Sequence, residues 1–512
     1  MTKPHRWFFP VIIPVLLVFG QVISFDFLKY DDTINVSENA LLLNPAVGHL
    51  MSFWKAPFLN LYIPVTYTVW FGSAVVSIAV FNGRLDPGLF HLLNLLVHTA
   101  NCWLLFLIIR RVSARKDESG AENSSMIGAA LGALIFGLHP VQVETVSWIT
   151  GLKGVLGGFF ALGAMYVYLG LERRSSGNRA LNYGVSTVLL VLAVLSMPAA
   201  VTVPVMVFFI MIWKDRRISW KMAGPLVPWL VIGVTVMAIT RAAQPVAEAA
   251  KDYAWLVRPL IALDAMMFYA HKIVWPDVLA IDYCRTPAWV AGLSWQNPYL
   301  LMALPAAGLV YGLRRRPRWL ALAAAFAAGI LPVSGLVPFA YQVTSTVADR
   351  YLYLSMAVVG MASAAVVARN PRTWVIGLFL ALVVLLGVRS HDQCRKWRNT
   401  ETIMGHTLQY FPCSFRANLN YGIALMSRGE FAEAIPFYET AGQLKPDDPL
   451  PYYNLGLTFA ATGDNARCDQ MYMKLATMDQ AKAERLKQAA AEFKAIGGPV
   501  SESAHGKGGD QP

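Results

Sequence analysis

The chain has 512 residues, of which 56% are hydrophobic and only 14% are charged, and its mean hydropathy is +0.46. Soluble globular proteins carry about 25% charged residues, so this composition excludes an ordinary soluble enzyme and a disordered chain. Lys and Arg in cytoplasmic loops of a membrane protein explain the net charge of +12 better than nucleic-acid binding does. The five cysteines form no CxxC pattern and predict no disulfide framework.

A bilayer core of about 30 Å needs roughly 20 apolar residues per helix, and the sequence contains about eleven such segments. The first follows Lys3 and Arg6 and lacks a small-residue cleavage site, which predicts a retained signal-anchor. The predicted spans are 7–25, 91–110, 126–141, 154–171, 181–197, 200–213, 222–241, 298–313, 318–336, 351–368 and 373–389.

Basic clusters follow every second span, which is the positive-inside pattern and predicts a cytoplasmic N-terminus and an external C-terminus. The clusters are Arg110, Arg111, Arg115 and Lys116; Arg173, Arg174 and Arg179; Lys214, Arg216, Arg217 and Lys221; Arg314, Arg315, Arg316 and Arg318; and Arg369 and Arg372. The apolar segment 258–275 would disturb this pattern if it crossed the membrane. We therefore predict a re-entrant or interfacial helix, which also fits its four ionisable residues Arg258, Asp264, His271 and Lys272.

The first outer segment begins at Asp26, directly after the first span, and contains the acidic pair Asp31 and Asp32. Two acids beside a membrane surface fit a solvated turn or helix cap. The interpretation that we favour is a general base or a metal ligand at the water–lipid boundary. Such a base would take a proton from an acceptor hydroxyl while the lipid tail of a donor stays in the bilayer.

The second span carries His91, Asn94 and His98 on one helical face. Polar side chains inside a span usually face the interior of the bundle. This pattern favours interhelical hydrogen bonds for Asn94 and His98 over a metal site.

The next outer turn contains His139, Glu144, Trp148 and Lys153 within fifteen residues of each other. Pro140 ends the preceding helix, and the spacing of Glu144 and Trp148 predicts a short helix. These residues fit either a catalytic or donor-binding site or a structural polar network.

Arg350 lies where the tenth span begins, and a guanidinium there is suited to bidentate binding of a phosphate. The alternative is a capping pair with Asp349, with Tyr351 and Tyr353 in the aromatic belt of the membrane surface.

The sequence becomes polar after residue 390, and 415–448 aligns with 449–482 at a period of about 34 residues, the tetratricopeptide pattern. Gly422 matches Gly456, and Tyr438 matches Tyr472. We predict a capping helix over 481–496 and a disordered tail over 497–512. Cys394 and Cys413 would both lie outside, where an oxidising periplasm permits a disulfide between them.

Five features occur in one order along the chain: the acidic pair, the FHLLNLLVH helix, the HPVQVETVSW turn, the ADRYLY helix start and the repeats. With these features the chain resembles the transmembrane and tetratricopeptide-repeat O-mannosyltransferases and their bacterial relatives. The resemblance covers roughly 10–480 and extends to the wider GT-C superfamily, which includes the protein O-mannosyltransferases. It implies an all-α polytopic membrane protein with a GT-C type bundle over 1–390 and a periplasmic tetratricopeptide α-solenoid over 391–496. Two departures from the family pattern are Leu152 and Gly154 in the turn after Trp148, and Met197 between spans five and six.

The resemblance also implies the function: inverting transfer of mannose or another hexose from a polyprenyl-phosphate donor to an acceptor hydroxyl outside the cytoplasm. Asp32 would be the base with Asp31 in support, although either order is open. Arg350 and Lys153 would bind the donor phosphate. The cavity would be lined by His139, Glu144, Trp148, His91 and Tyr351, and the repeats would recruit an acceptor protein or peptide through Asn420, Tyr421 and Asn454.

Several alternatives stay open from the sequence. The acceptor could be a lipid or a surface glycan, and the chain could be a non-enzymatic scaffold or a transporter of lipid-linked sugars. The last would show inverted repeats or broken helices. No cofactor follows from the sequence; a divalent cation near the acidic pair is compatible with it, but no ligand cluster requires a metal. The expected location is the bacterial inner membrane, with no nucleic-acid partner.

Overall fold

The computed structural model describes residues 4–113, 121–171, 176–243, 257–292 and 298–496. The regular structure within these ranges is helical, as predicted. The chain forms two compact units, and each is described by itself. Unit 1 comprises Met1–Phe25, Asn35–Leu279 and Arg285–Trp397, and unit 2 comprises Asp26–Ile34, Ala280–Cys284 and Arg398–Pro512.

The α-helices of unit 1 vary from single turns to long apolar rods. In chain order they are α1 Phe8–Phe19, α2 Ala40–Leu43, α3 Val47–Lys55, α4 Pro64–Val80, α5 Pro87–Ser113, α6 Ala121–Leu138, α7 Val143–Ser147, α8 Leu152–Tyr168, α9 Ser176–Ser196, α10 Val203–Asp215, α11 Trp220–Ala223, α12 Val227–Ala243, α13 Arg258–Val274, α14 Pro287–Gly292, α15 Pro298–Leu313, α16 Pro317–Ile330, α17 Met356–Arg369 and α18 Thr373–Arg395.

Seven helical stretches within the described ranges are long and apolar enough to cross a membrane, or eight if the pair Asn123–Leu138 and Pro140–Ser147, bent by 51°, is one span. This is fewer than the eleven that the sequence predicts. The predicted spans 298–313, 318–336 and 351–368 appear as shorter apolar helices. Several apolar helices remain, as expected of a multi-pass membrane protein.

Parts of the sequence predictions lie outside the described residues. These parts are the basic residues Arg115, Lys116, Arg173 and Arg174, and the tail 497–512. The segment 258–275 forms the 17-residue helix α13, in which Asp264 and Lys272 are buried.

Two helices of unit 1 pack through small residues. A Cβ added to Gly128 of α6 would lie 2.7 Å from the Ala364 carbonyl oxygen of α17, and Gly132 and Gly360 face each other's backbone carbonyl oxygens. Without side chains between them, the backbones approach closely, which is the usual way in which apolar helices associate where no water drives them together.

Unit 2 contains α19 Thr400–Tyr410 followed by the two repeat hairpins and the cap. The hairpins are α20 Phe415–Ser427 with α21 Phe431–Leu444, and α22 Pro449–Thr462 with α23 Asn465–Met478; the cap is α24 Gln480–Ile496. The Tyr438 ring packs over Gly422, and Leu486 of the cap packs over Gly456, so the matched glycines make room for large side chains. The predicted repeats are confirmed, and a helix spans Gln480–Ile496, where the capping helix is predicted.

Replacing Gly132 by Ala should separate α6 from α17, because the new methyl group would meet the Gly360 carbonyl oxygen. We expect the protein to lose about 1–3 kcal/mol of stability through overpacking. Thermal unfolding in detergent measures the loss. Gly377→Ala on α18 is the matched control, since that Cβ would meet nothing within 4 Å; equal losses in both variants would contradict the close approach.

Candidate active site

The acidic loop, defined as Asp26–Ile34, belongs to unit 2. The Asp26 amide donates to the Arg398 carbonyl oxygen at 3.0 Å, and the Lys29 amide donates to Thr400 Oγ1 at 2.7 Å. Both acceptors lie at the start of α19. The loop that follows the first span is therefore attached to the helical array that carries the repeats.

The two acids of this loop differ in exposure. Asp32 is fully buried, and its Oδ2 accepts a hydrogen bond from the Leu28 amide at 3.0 Å. Thr33 Oγ1 donates to the Leu28 carbonyl oxygen at 3.4 Å. Asp31 is half-buried. The Asp32 carboxylate thus has a fixed orientation, while Asp31 is the more accessible acid.

Arg416 lies beside the acidic loop, and Lys445 lies beside the neighbouring residue Phe415. The Arg416 guanidinium carbon is 5.7 Å from the centre of the Tyr30 ring, and the Lys445 ammonium is 4.5 Å from the centre of the Phe415 ring. Burial, and then the positive charge of Arg416, lower the pKa of Lys445, while the carboxylates Asp448 and Asp282 act in the opposite direction.

The turn after α6 forms a polar cluster in unit 1. Glu144 lies on α7, as the spacing predicts, and Trp148 is the residue that ends this helix. The Arg350 amide donates to Glu144 Oε2 at 3.0 Å, and its guanidinium forms an ion pair with Glu144 Oε1. Both side chains are largely shielded from water, so each supplies the charge that the other needs.

Aromatic rings surround the Arg350 guanidinium. Its central carbon is 4.3 Å from the centre of the Tyr341 ring, 5.1 Å from Tyr351 and 5.6 Å from Trp148. The Lys153 ammonium lies 5.8 Å from the Trp148 ring. The structure therefore brings Glu144, Trp148, Lys153, Arg350 and Tyr351 into one cluster, which pairs two cations with an electron-rich surface.

His139 connects this turn to α13. Its Nε2 bonds the Ile273 carbonyl oxygen at 2.9 Å, and its Nδ1 accepts from the Val141 amide at 3.3 Å. These two partners assign a neutral imidazole with the proton on Nε2. His139 therefore fixes the start of the turn.

The polar face of α5 supports the same turn from the other side. Asn94 Nδ2 donates to the Trp148 carbonyl oxygen at 2.6 Å, and His98 Nδ1 lies 2.9 Å from the Tyr353 hydroxyl. The predicted interhelical hydrogen bonds of Asn94 and His98 are confirmed. His91 is buried against the Phe25 ring at 6.0 Å between ring centres.

A second buried ion pair was missed from the sequence. The Arg285 guanidinium donates to Asp264 Oδ1 at 2.5 Å, and both side chains are buried. The rings of Trp289 and Tyr299 lie 4.4 Å and 4.6 Å from the guanidinium carbon. Asp264 among the apolar residues of α13 was a signal, but no spacing rule identifies a partner 21 residues away.

The residues predicted to recruit an acceptor are placed differently from what that role requires. Asn420 and Asn454 are buried, and each donates to a carbonyl oxygen one turn back, those of Arg416 and Leu450. Their amides therefore satisfy their own helices instead of facing a partner. Tyr421 is half-buried and packs its ring against Phe437 at 4.7 Å.

The disulfide that the sequence permits between Cys394 and Cys413 does not form. Cys413 forms a disulfide with Cys284, both in unit 2. Cys394 is a buried thiol of unit 1 that accepts a hydrogen bond from Ser147 Oγ at 3.5 Å. The pairing of Cys284 with Cys413 could not be predicted from the sequence, because the two residues are separated by 129 positions.

Among the residues that the structure describes, no three or more His, Cys, Asp or Glu side chains form a group that could hold a metal ion. The fold and the clusters above define a helical protein with several apolar helices, buried ion pairs and a tetratricopeptide unit.

Comparison with known proteins agrees with this class. The TPR repeat family matches residues 422–463, and the tetratricopeptide repeat family matches 451–482. The chain is 23% identical to Protein O-mannosyl-transferase Tmtc3 of Drosophila melanogaster over 89% of its own length and 57% of that relative. The chain thus spans a little over half the length of this relative, and the resemblance inferred from the motifs is confirmed.

Replacing Glu144 by Gln should destabilise the protein by about 3 kcal/mol, because it leaves the shielded Arg350 cation without its counter-charge. The apparent unfolding temperature in detergent checks this expectation. A second substitution, Arg350→Met, should recover most of the loss.

Glu401→Gln in unit 2 is the control. Its partner Arg428 is half exposed to solvent, so we expect a change below about 1 kcal/mol. Equal losses in the two variants would contradict a special role for the buried pair.

Proposed function

We propose that this chain transfers mannose or another hexose from a polyprenyl-phosphate-linked donor to a Ser or Thr hydroxyl of a protein acceptor on the extracytoplasmic side of a membrane. The observation that carries the proposal is the similarity to an O-mannosyl-transferase, which extends over 89% of the chain. The proposal uses a carboxylate of the acidic pair as the base and the cations Arg350 and Lys153 as the phosphate-binding groups.

In the proposed reaction the acceptor hydroxyl loses its proton to a carboxylate of the acidic pair. The oxygen then attacks the anomeric carbon on the face opposite the phosphate, and the bond between that carbon and the phosphate oxygen breaks. The product has the inverted configuration, and the polyprenyl phosphate leaves with the bonding electrons. We assign the base to Asp32, because the Leu28 amide fixes its carboxylate, and a supporting role to Asp31.

Arg350 and Lys153 are assigned to the donor phosphate. A guanidinium has five N–H donors in a planar fork that matches phosphate oxygens. Glu144 and the surrounding rings hold this fork in one orientation, so little side-chain entropy would be lost when the donor binds. His139 and Trp148 shape the same turn.

The location of unit 2 rests on two observations. Basic residues concentrate in loops after alternate predicted spans, and unit 2 contains the disulfide Cys284–Cys413, a bond typical of oxidising compartments. Both support an extracytoplasmic unit 2, as in a bacterial periplasm.

Asp32→Asn should lower sugar transfer by at least about 100-fold, because the amide cannot accept the proton. The assay supplies polyprenyl-phosphate mannose and a Ser/Thr-rich peptide to the purified full chain, and measures mannosylated peptide. Asp31→Asn should have the smaller effect, and both variants should express and unfold like the parent. Full activity in both variants, or no transfer by the parent, would favour a non-enzymatic scaffold.

Cys284→Ser should make Cys413 accessible to a membrane-impermeant maleimide in cells with an intact cytoplasmic membrane. The parent chain should stay unlabelled, because Cys413 is bonded and Cys102, Cys394 and Cys468 are buried. Labelling that requires permeabilised cells would reverse the proposed orientation. Mass spectrometry of labelled peptides identifies the cysteine.

A further inference from the structure

We propose that the repeat unit positions the acidic loop, and that Thr400 is a positioning residue for the Asp31–Asp32 pair. This inference rests on the proposed function, in which the pair supplies the base. It assigns to the repeat unit a role in the chemical step, in addition to any role in recruiting an acceptor.

The acidic loop is attached to the start of α19. Its residues Asp26 and Lys29 donate backbone hydrogen bonds to Arg398 and Thr400. Thr400 is the first residue of α19 and is 5% exposed, so little water competes for its hydroxyl oxygen. If the Lys29 amide loses this acceptor, it is left without this hydrogen bond, which is unfavourable, unless the loop moves.

The attached residues lie close in the chain to the residue that orients Asp32. Leu28 lies between the two anchored residues, and its amide donates to Asp32 Oδ2 at 3.0 Å. The Leu28 side chain is itself buried. Movement at Lys29 therefore displaces the amide that orients the Asp32 carboxylate.

The other end of α19 is also fixed. Ser414 caps α20 by accepting from the Ala417 amide, and its hydroxyl donates to Asp282 Oδ2 at 2.6 Å. The adjacent Cys413 is bonded to Cys284, and the Phe411 ring packs against Tyr283 at 5.4 Å. The helix that holds the acidic loop is thus restrained at both ends within unit 2.

A hydrogen bond of this type is worth roughly a factor of ten in a rate when its loss displaces a reacting group. We therefore expect Thr400→Val to lower kcat for mannosyl transfer about tenfold. The KM for a Ser/Thr-rich peptide should stay unchanged, because the Thr400 hydroxyl contacts the acidic loop and has no assigned role in binding the peptide. Thr400→Ser keeps the hydroxyl oxygen and should restore kcat.

Thr402→Val is the matched control. Thr402 forms the capping box of α19 with Asn399, so its loss weakens the same helix end without removing the Lys29 contact. We expect this variant to keep the parental kcat. A parental kcat for Thr400→Val would overturn the proposal, as would equal losses of kcat in the two variants, which would indicate a merely structural role.

The Asp31, Asp32 and Thr400 variants together distinguish a failure of the positioning role from a failure of the proposed function. If Asp31→Asn and Asp32→Asn both keep full transfer, the proposed function fails and the positioning role fails with it. If the Asp32→Asn variant loses transfer while Thr400→Val keeps the parental kcat, only the positioning role is overturned.

Discussion

A charge inside an apolar helical body must be paired, and this constraint organises unit 1. Moving an unpaired ion out of water costs several kcal/mol even after relaxation. Glu144 and Arg350 meet this requirement together, although they are 206 positions apart. Their pairing brings the turn after α6 against the segment before α17, and the same cluster collects Trp148 and Tyr351.

The surrounding polar contacts extend the cluster toward α13. The Ala348 amide donates to the Tyr269 hydroxyl at 3.2 Å, and the Thr346 amide donates to the Arg285 carbonyl oxygen. Arg285 in turn pairs with Asp264. These contacts join two buried ion pairs through one backbone segment.

Much of the local structure follows from the sequence alone. The 34-residue period identified the repeats, and the small residues at its matched positions explain how Tyr438 and Leu486 fill the hairpins. The spacing of His91, Asn94 and His98 predicted a buried polar face on α5, and the spacing of Glu144 and Trp148 predicted the short helix at Glu144. Each predicted span corresponds to an apolar helix, and three of these helices, Leu301–Leu313, Pro317–Val333 and Met356–Arg369, are shorter than the others.

The sequence by itself determined the apolar class of the protein, its repeats, and the residue types available for chemistry, because periodicity and composition are local properties. Only the tertiary structure decided the pairings. It joined Glu144 to Arg350, Asp264 to Arg285 and Cys284 to Cys413, and it attached the acidic loop to α19. The physical reason is that partners of buried charges, thiols and amides are selected by proximity in the folded chain, which residue spacing does not encode across many helices.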